Sequence, residues 1–166
     1  MQRQTELQNW LHAVYPEQNF ELSFAAADAD FRRYFRATFA DGKTVICMDA
    51  PPDKMSVAPY LKVQKLFNML NVPQVLHANE AQGFMVLNDL GSTTFLTAMQ
   101  QEQGADAHKV LLLEAIDELV GLQKASRAGE LPEYDRDIML REINLFPEWF
   151  VAKELGRELN FKQRQL

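Results

Sequence analysis

The chain has 166 residues, a formal net charge of −6, 47% hydrophobic and 24% charged residues. That suits a folded protein of one ordinary domain or two small lobes. The acidic balance, with no basic cluster of more than a few residues, argues against a nucleic-acid partner. No apolar run approaches the roughly 20 residues of a spanning helix, and no charged segment leads into an apolar one at the N-terminus. The single cysteine, Cys47, sits in an apolar strand and suits a reducing compartment. The expectation is therefore a cytoplasmic protein that contacts no membrane.

In chain order, residues 5–14 place Leu7, Trp10, Leu11 and Val14 at helical spacing, with Thr5 as cap and Pro16 as stop. In residues 20–26, Phe20, Leu22 and Phe24 alternate with Glu21 and Ser23, as in a half-buried strand. A turn leads to a second strand over 31–39, and Asp41-Gly42 marks a hairpin into a third over 43–49. That third strand is mostly apolar and should be central. Pro51-Pro52 stops it. Residues 57–70 read as an amphipathic helix, and short strands follow over 74–78 and 83–87.

At Asn88-Asp89 the character of the chain changes. Strands and turns give way to helices expected over 93–100, 106–127 and 135–146, and again after Pro147 up to Gly156. The helix over 106–127 is apolar on more than one face, which predicts a position central to a lobe. The fold class is α+β: a five-stranded antiparallel sheet with a helix on one face, then a helical part. A lone bridge between two such parts is a hinge, and ligands bind beside hinges. Taken by itself, the stretch fits better a sheet edge followed by a capped helix in one compact domain. The run from Asp28 to Arg36 carries Arg32, Arg33 and Arg36. It fits a phosphate-covering turn, through backbone N–H groups and arginine forks, or a solvated basic hairpin edge.

Four blocks carry a resemblance to a known family. They are Asp28-Ala29-Asp30-Phe31-Arg32-Arg33-Tyr34-Phe35-Arg36, Met48-Asp49-Ala50-Pro51-Pro52, Val86-Leu87-Asn88-Asp89-Leu90-Gly91, and Leu140-Arg141-Glu142-Ile143-Asn144-Leu145-Phe146-Pro147-Glu148-Trp149-Phe150. In this order they resemble the aminoglycoside-phosphotransferase-type, protein-kinase-like family. The similarity is to its bacterial branch that phosphorylates the anomeric hydroxyl of N-acetylmuramate and N-acetylglucosamine in peptidoglycan recycling. The resemblance implies a kinase-like N-terminal lobe over residues 1–88, then a hinge and the first helices of a C-terminal lobe over 89–166. It implies nucleotide contacts from Asp28, Ala29, Asp30, Phe31, Arg32 and Arg33 around the phosphates, and from Leu87, Asn88, Asp89 and Leu90 around adenine. It implies substrate contacts from Arg141, Glu142, Phe146 and Trp149. ATP and Mg²⁺ would be required, with an amino sugar as acceptor. The oligomeric state stays open.

Two features depart from that pattern. Kinases of this fold carry a lysine on the third strand for the α/β-phosphates. Here the strand reads Val45-Ile46-Cys47-Met48-Asp49. Arg33, Arg36 or Lys54 could substitute, or the role could be absent. The acceptor base and metal ligands of the family, H-x-D-x-x-x-x-N and then D-x-x-D, are also missing: none of His12, His77 and His108 has an aspartate two residues on. Asp89, Asp117, Asp135 and Asp137 each have a better local role. Those motifs are expected beyond Leu166, and the chain by itself is expected to be inactive. Two other readings remain: a non-catalytic module that binds a nucleotide or a protein, and a kinase for an aminoglycoside, choline or another small alcohol.

Overall fold

A computed structural model describes residues 2–27, 30–102 and 104–164. The elements are α1 (Gln2–Val14), β1 (Phe20–Ala27), β2 (Arg33–Phe39), β3 (Thr44–Asp49), α2 (Ala58–Leu66), β4 (Val75–Asn79) and β5 (Phe84–Asn88). Then follow α3 (Phe95–Gln101), α4 (Ala105–Ala125), α5 (Arg136–Leu145), a π-helical segment (Phe146–Glu154) and α6 (Phe161–Arg164). The strands form one five-stranded sheet in the order β1-β2-β3-β5-β4, with every pair antiparallel. The apolar third strand is central, as its composition predicts.

Alternation along the strands sends two apolar sets to opposite faces. Phe35, Ala37, Phe39, Val45, Cys47, Phe84 and Val86 pack with Leu7 and Leu11 of α1. Met48, Ala50, Met85 and Leu87 pack on the other face with Val57 at the head of α2, flanked by Tyr34, Ile46, Tyr60 and Leu61. Cys47 is fully buried, and burial pushes its thiol up to about 12, so it serves as a core hydrophobe.

Gly83 joins this sheet to the chain after β3. Its N–H faces the Glu80 carbonyl, and its own carbonyl accepts from Ala50 N–H at 2.8 Å. With φ at +69°, a Cβ there would lie 1.8 Å from the Ala50 oxygen, so only glycine fits.

Several boundaries differ from expectation for identifiable reasons. α1 begins at Gln2 rather than at Thr5, because Arg3 is drawn in by a carboxylate far along the chain. β2 begins at Arg33, because the Asp30 side chain accepts from Arg32 N–H and holds that residue in a turn. α2 closes at Leu66, where Leu70 N–H bonds back to the Phe67 carbonyl in a tighter turn. Thr94, rather than a residue before it, caps α3 by accepting from Thr97 N–H at 3.1 Å. In the long helix no residue of α4 is buried, and Leu112, Leu113, Ile116 and Leu119 are about half exposed.

The chain divides into two compact units, Met1–Ser126 and Arg127–Leu166. The first holds the sheet, α1 to α4 and both apolar clusters. In the second, Asp135 caps α5 by accepting from Asp137 and Ile138 N–H, as the sequence suggests. α5 then runs into the π-helical segment without a break. Pro147 occupies its first turn, and Leu155 N–H bonds five residues back to the Phe150 carbonyl.

Candidate functional site

The end of β5 is fixed by its own side chains. Asn88 Oδ1 accepts from Gln74 N–H at 2.6 Å, while Asn88 N–H donates to the Gln74 carbonyl at 3.0 Å. Gln74 is tied to α2 through Gln64, whose amide donates to it at 2.8 Å. Asp89 takes two hydrogen bonds from the Arg36 guanidinium, at 2.5 and 3.1 Å, and accepts from Gly91 N–H at 2.8 Å. Arg36 also donates to the Gly91 carbonyl. The Arg36 bonds hold the Asp89 carboxyl well below the usual carboxylate range, at about 2.

Between these anchors the backbone is available. Leu87 is buried under the sheet, whereas Leu90 is 56% exposed. Neither its N–H nor its C=O has a partner among the described residues. A main-chain donor and acceptor held still beside an apolar sheet face can read the edge of a flat heterocycle.

On that same face a groove of about 640 Å³ runs between the sheet and α2, lined by Met48, Ala50, Tyr60, Val63, Phe67 and Arg32 among others. Tyr34 and Met85 flank Met48 in the strand register, so Met48 holds the central position on this face. Arg32 is the one charged side chain in the lining among the described residues. Asp30 fixes it, accepting from Arg32 N–H and from Arg32 Nε, both at 2.8 Å. Burial raises the Tyr60 hydroxyl, and the nearby Arg32 charge pulls it part of the way back. Phe31 is exposed, with Lys54 Nζ 5.8 Å from its ring centre.

Of the expected nucleotide contacts, Arg32, Leu87, Asn88, Asp89 and Leu90 thus lie on or beside one sheet face, and Asp30 and Phe31 lie in the turn leading to it. Asp28 and Ala29 lie outside the described residues. Arg33 belongs to the opposite face, where its guanidinium meets Asp49 at 2.5 Å. Asp49 is fully buried and also receives Arg3 Nε at 3.0 Å and Nη2 at 2.5 Å. Arg3 further donates to the Gln82 carbonyl and lies 4.5 Å over the Phe84 ring. Sequence reasoning missed this cluster. Its one trace was a carboxylate closing an otherwise apolar strand.

The remaining expected residues belong to the second unit. Arg141 and Glu142 are exposed on α5, where Glu142 accepts from the Tyr134 hydroxyl. Phe146 and Phe150 stack at 5.4 Å between ring centres, and Trp149 is 64% exposed. Exposed aromatic rings beside an arginine and a carboxylate suit a hydroxyl-rich ring, through stacking and polar contacts. Among the described residues no three His, Cys, Asp or Glu side chains converge as metal ligands. Among the described residues no set of side chains fits the Mg²⁺ that the resemblance implies. No helix among the described residues is long and apolar enough to cross a membrane.

Residues 21–165 match the model of the phosphotransferase enzyme family. The chain is 81% identical over 166 residues to the N-acetylmuramate/N-acetylglucosamine kinase of Neisseria meningitidis serogroup B, covering all of this chain and 50% of that protein. It is 36% identical over 166 residues to the protein of the same name in Pseudomonas aeruginosa, covering 93% of this chain and 48% of that one. In Pseudomonas putida the likeness is 39% over 137 residues, 81% of this chain and 39% of that protein. The chain thus spans about half the length, or less, of the curated relatives it matches.

Proposed function

Taking as premise that this chain belongs to the phosphotransferase enzyme family, we propose that it forms the nucleotide-holding part of an ATP-dependent kinase for N-acetylmuramate and N-acetylglucosamine. The observation that carries the reading is the fixed hinge beside an apolar sheet face. Asn88 and Asp89 are locked by Gln74 and Arg36, and the exposed Leu90 offers main-chain groups to a purine edge. The turn of Asp28, Ala29, Asp30 and Phe31 would cover the phosphates. Arg33 would support it from behind through Asp49. Arg141, Glu142, Phe146 and Trp149 are the candidates for contact with the amino sugar.

Catalysis of phosphoryl transfer is mostly positioning and charge stabilisation. With no metal-ligand cluster among the described residues, these 166 residues alone are expected to transfer no phosphoryl group. The relatives are about twice as long, and the acceptor base and metal ligands are expected in their further length. The lack of a lysine in the third strand, Val45-Ile46-Cys47-Met48-Asp49, favours a second reading, a module that holds a nucleotide without transfer.

One assay separates the two. The full-length protein carrying this sequence is incubated with ATP, Mg²⁺ and N-acetylmuramate, and formation of the sugar 1-phosphate is followed. Product with N-acetylmuramate and N-acetylglucosamine supports the kinase. ATP binding without product supports the module. Product only with an aminoglycoside or choline would move the acceptor elsewhere in the family.

A further inference from the structure

This inference rests on the nucleotide reading above and concerns the charge that should meet the polyphosphate. On the face turned to α2 the third strand presents Ile46 and Met48, and no lysine. Three cations named from sequence are placed elsewhere. Arg33 is bound to the buried Asp49 on the α1 face. Arg36 is bound to Asp89 beside the hinge. Lys54 is half exposed and meets Asp53 at 3.5 Å.

Arg32 is placed differently. It lines the groove together with Met48 and Ala50. Arg33 pairs with Asp49 and Tyr34 with Met48, whereas Arg32 lies in the turn before β2 and lines the Met48 side. Asp30 grips both its backbone N–H and its Nε, which sets the plane of the guanidinium.

We propose that Arg32 is the nucleotide-phosphate contact that replaces the strand-borne lysine, with Asp30 as its positioning residue. A planar fork suits two phosphate oxygens at once, where a lysine would offer a point charge. Reach is supplied by the adjoining turn rather than by the strand, which allows β3 to carry Met48 into the apolar cluster.

The test measures binding of adenosine, ADP and ATP to the full-length protein by calorimetry. It compares the parent with Arg32→Ala, Arg32→Lys and Lys54→Ala. Arg32→Ala is expected to weaken ADP and ATP by about ten- to a hundredfold, to leave adenosine unchanged, and to be partly restored in Arg32→Lys. Lys54→Ala should change each ligand by less than about twofold. Equal loss of adenosine and ATP in Arg32→Ala, or a phosphate-specific loss in Lys54→Ala alone, overturns the assignment. Failure of the parent to bind adenosine or ATP would instead sink the nucleotide reading beneath it.

Discussion

Asp49 and Asp89 are two carboxylates of the same sheet, and arginines hold both. Asp49 is fully buried between Arg3 and Arg33 and welds α1 to β2 and β3. Asp89 fixes the chain just after β5 through Arg36. The Asp89 carboxyl titrates near 2, below its ordinary value of 3.8. A depressed folded-state pKa gives stability that is complete above the unfolded value and lost as pH falls through the folded one. Asp89→Asn should therefore destabilise the full-length protein by about 1.5–3 kcal/mol at pH 7. Urea unfolding should show that difference shrinking as pH drops from about 5 towards 2. A gap independent of pH would mean that the Arg36 contact contributes through shape rather than charge. Sequence alone showed neither partner. Arg3 and Arg36 lie 46 and 53 positions from the aspartates they bind, and local pattern carries no information over such distances.

Elements were legible wherever burial follows a local period. Phe20, Leu22 and Phe24 announced β1, and Asp41-Gly42 announced the β2–β3 hairpin. Element ends were less so, because tertiary contacts set them: Arg3 extends α1, and Asp30 delays β2. Gly83 shows a constraint that the sequence reports only as a turn residue. Its missing side chain lets β5 start against the Ala50 carbonyl, and thereby brings Met85 and Leu87 under the sheet beside Met48. Gly83→Ala should cost about 2–4 kcal/mol, since strain at positive φ adds to a backbone clash. Gly91→Ala, with φ at +93° but nothing within 4 Å of the added methyl, should cost about 1 kcal/mol. Thermal or chemical unfolding of the two variants tests the order. Equal losses would show that Ala50 moves aside freely.

At the level of the molecule, the antiparallel sheet follows from patterning, which set a helix against one face, whereas the structure packs α1 on one face and the head of α2 on the other; the family match agrees with the resemblance carried by the four sequence blocks. The locked stretch of Asn88 and Asp89 was partly legible, because that block is contiguous in sequence. The groove was not, since Arg32, Met48 and Phe67 come from three separate elements. The apolar faces of the 106–127 helix were legible as well, but not what covers them, because such a pattern states only what a helix could bury.

The most direct test of the account is amide hydrogen exchange across residues 84–92 of the full-length protein, with and without a non-hydrolysable ATP analogue. The account predicts that saturating analogue slows exchange at Asp89 and Leu90, while Met85 and Val86, already within the sheet, change little. Saturable binding that leaves the Asp89 and Leu90 amides at their free rates, with protection appearing elsewhere, would contradict it.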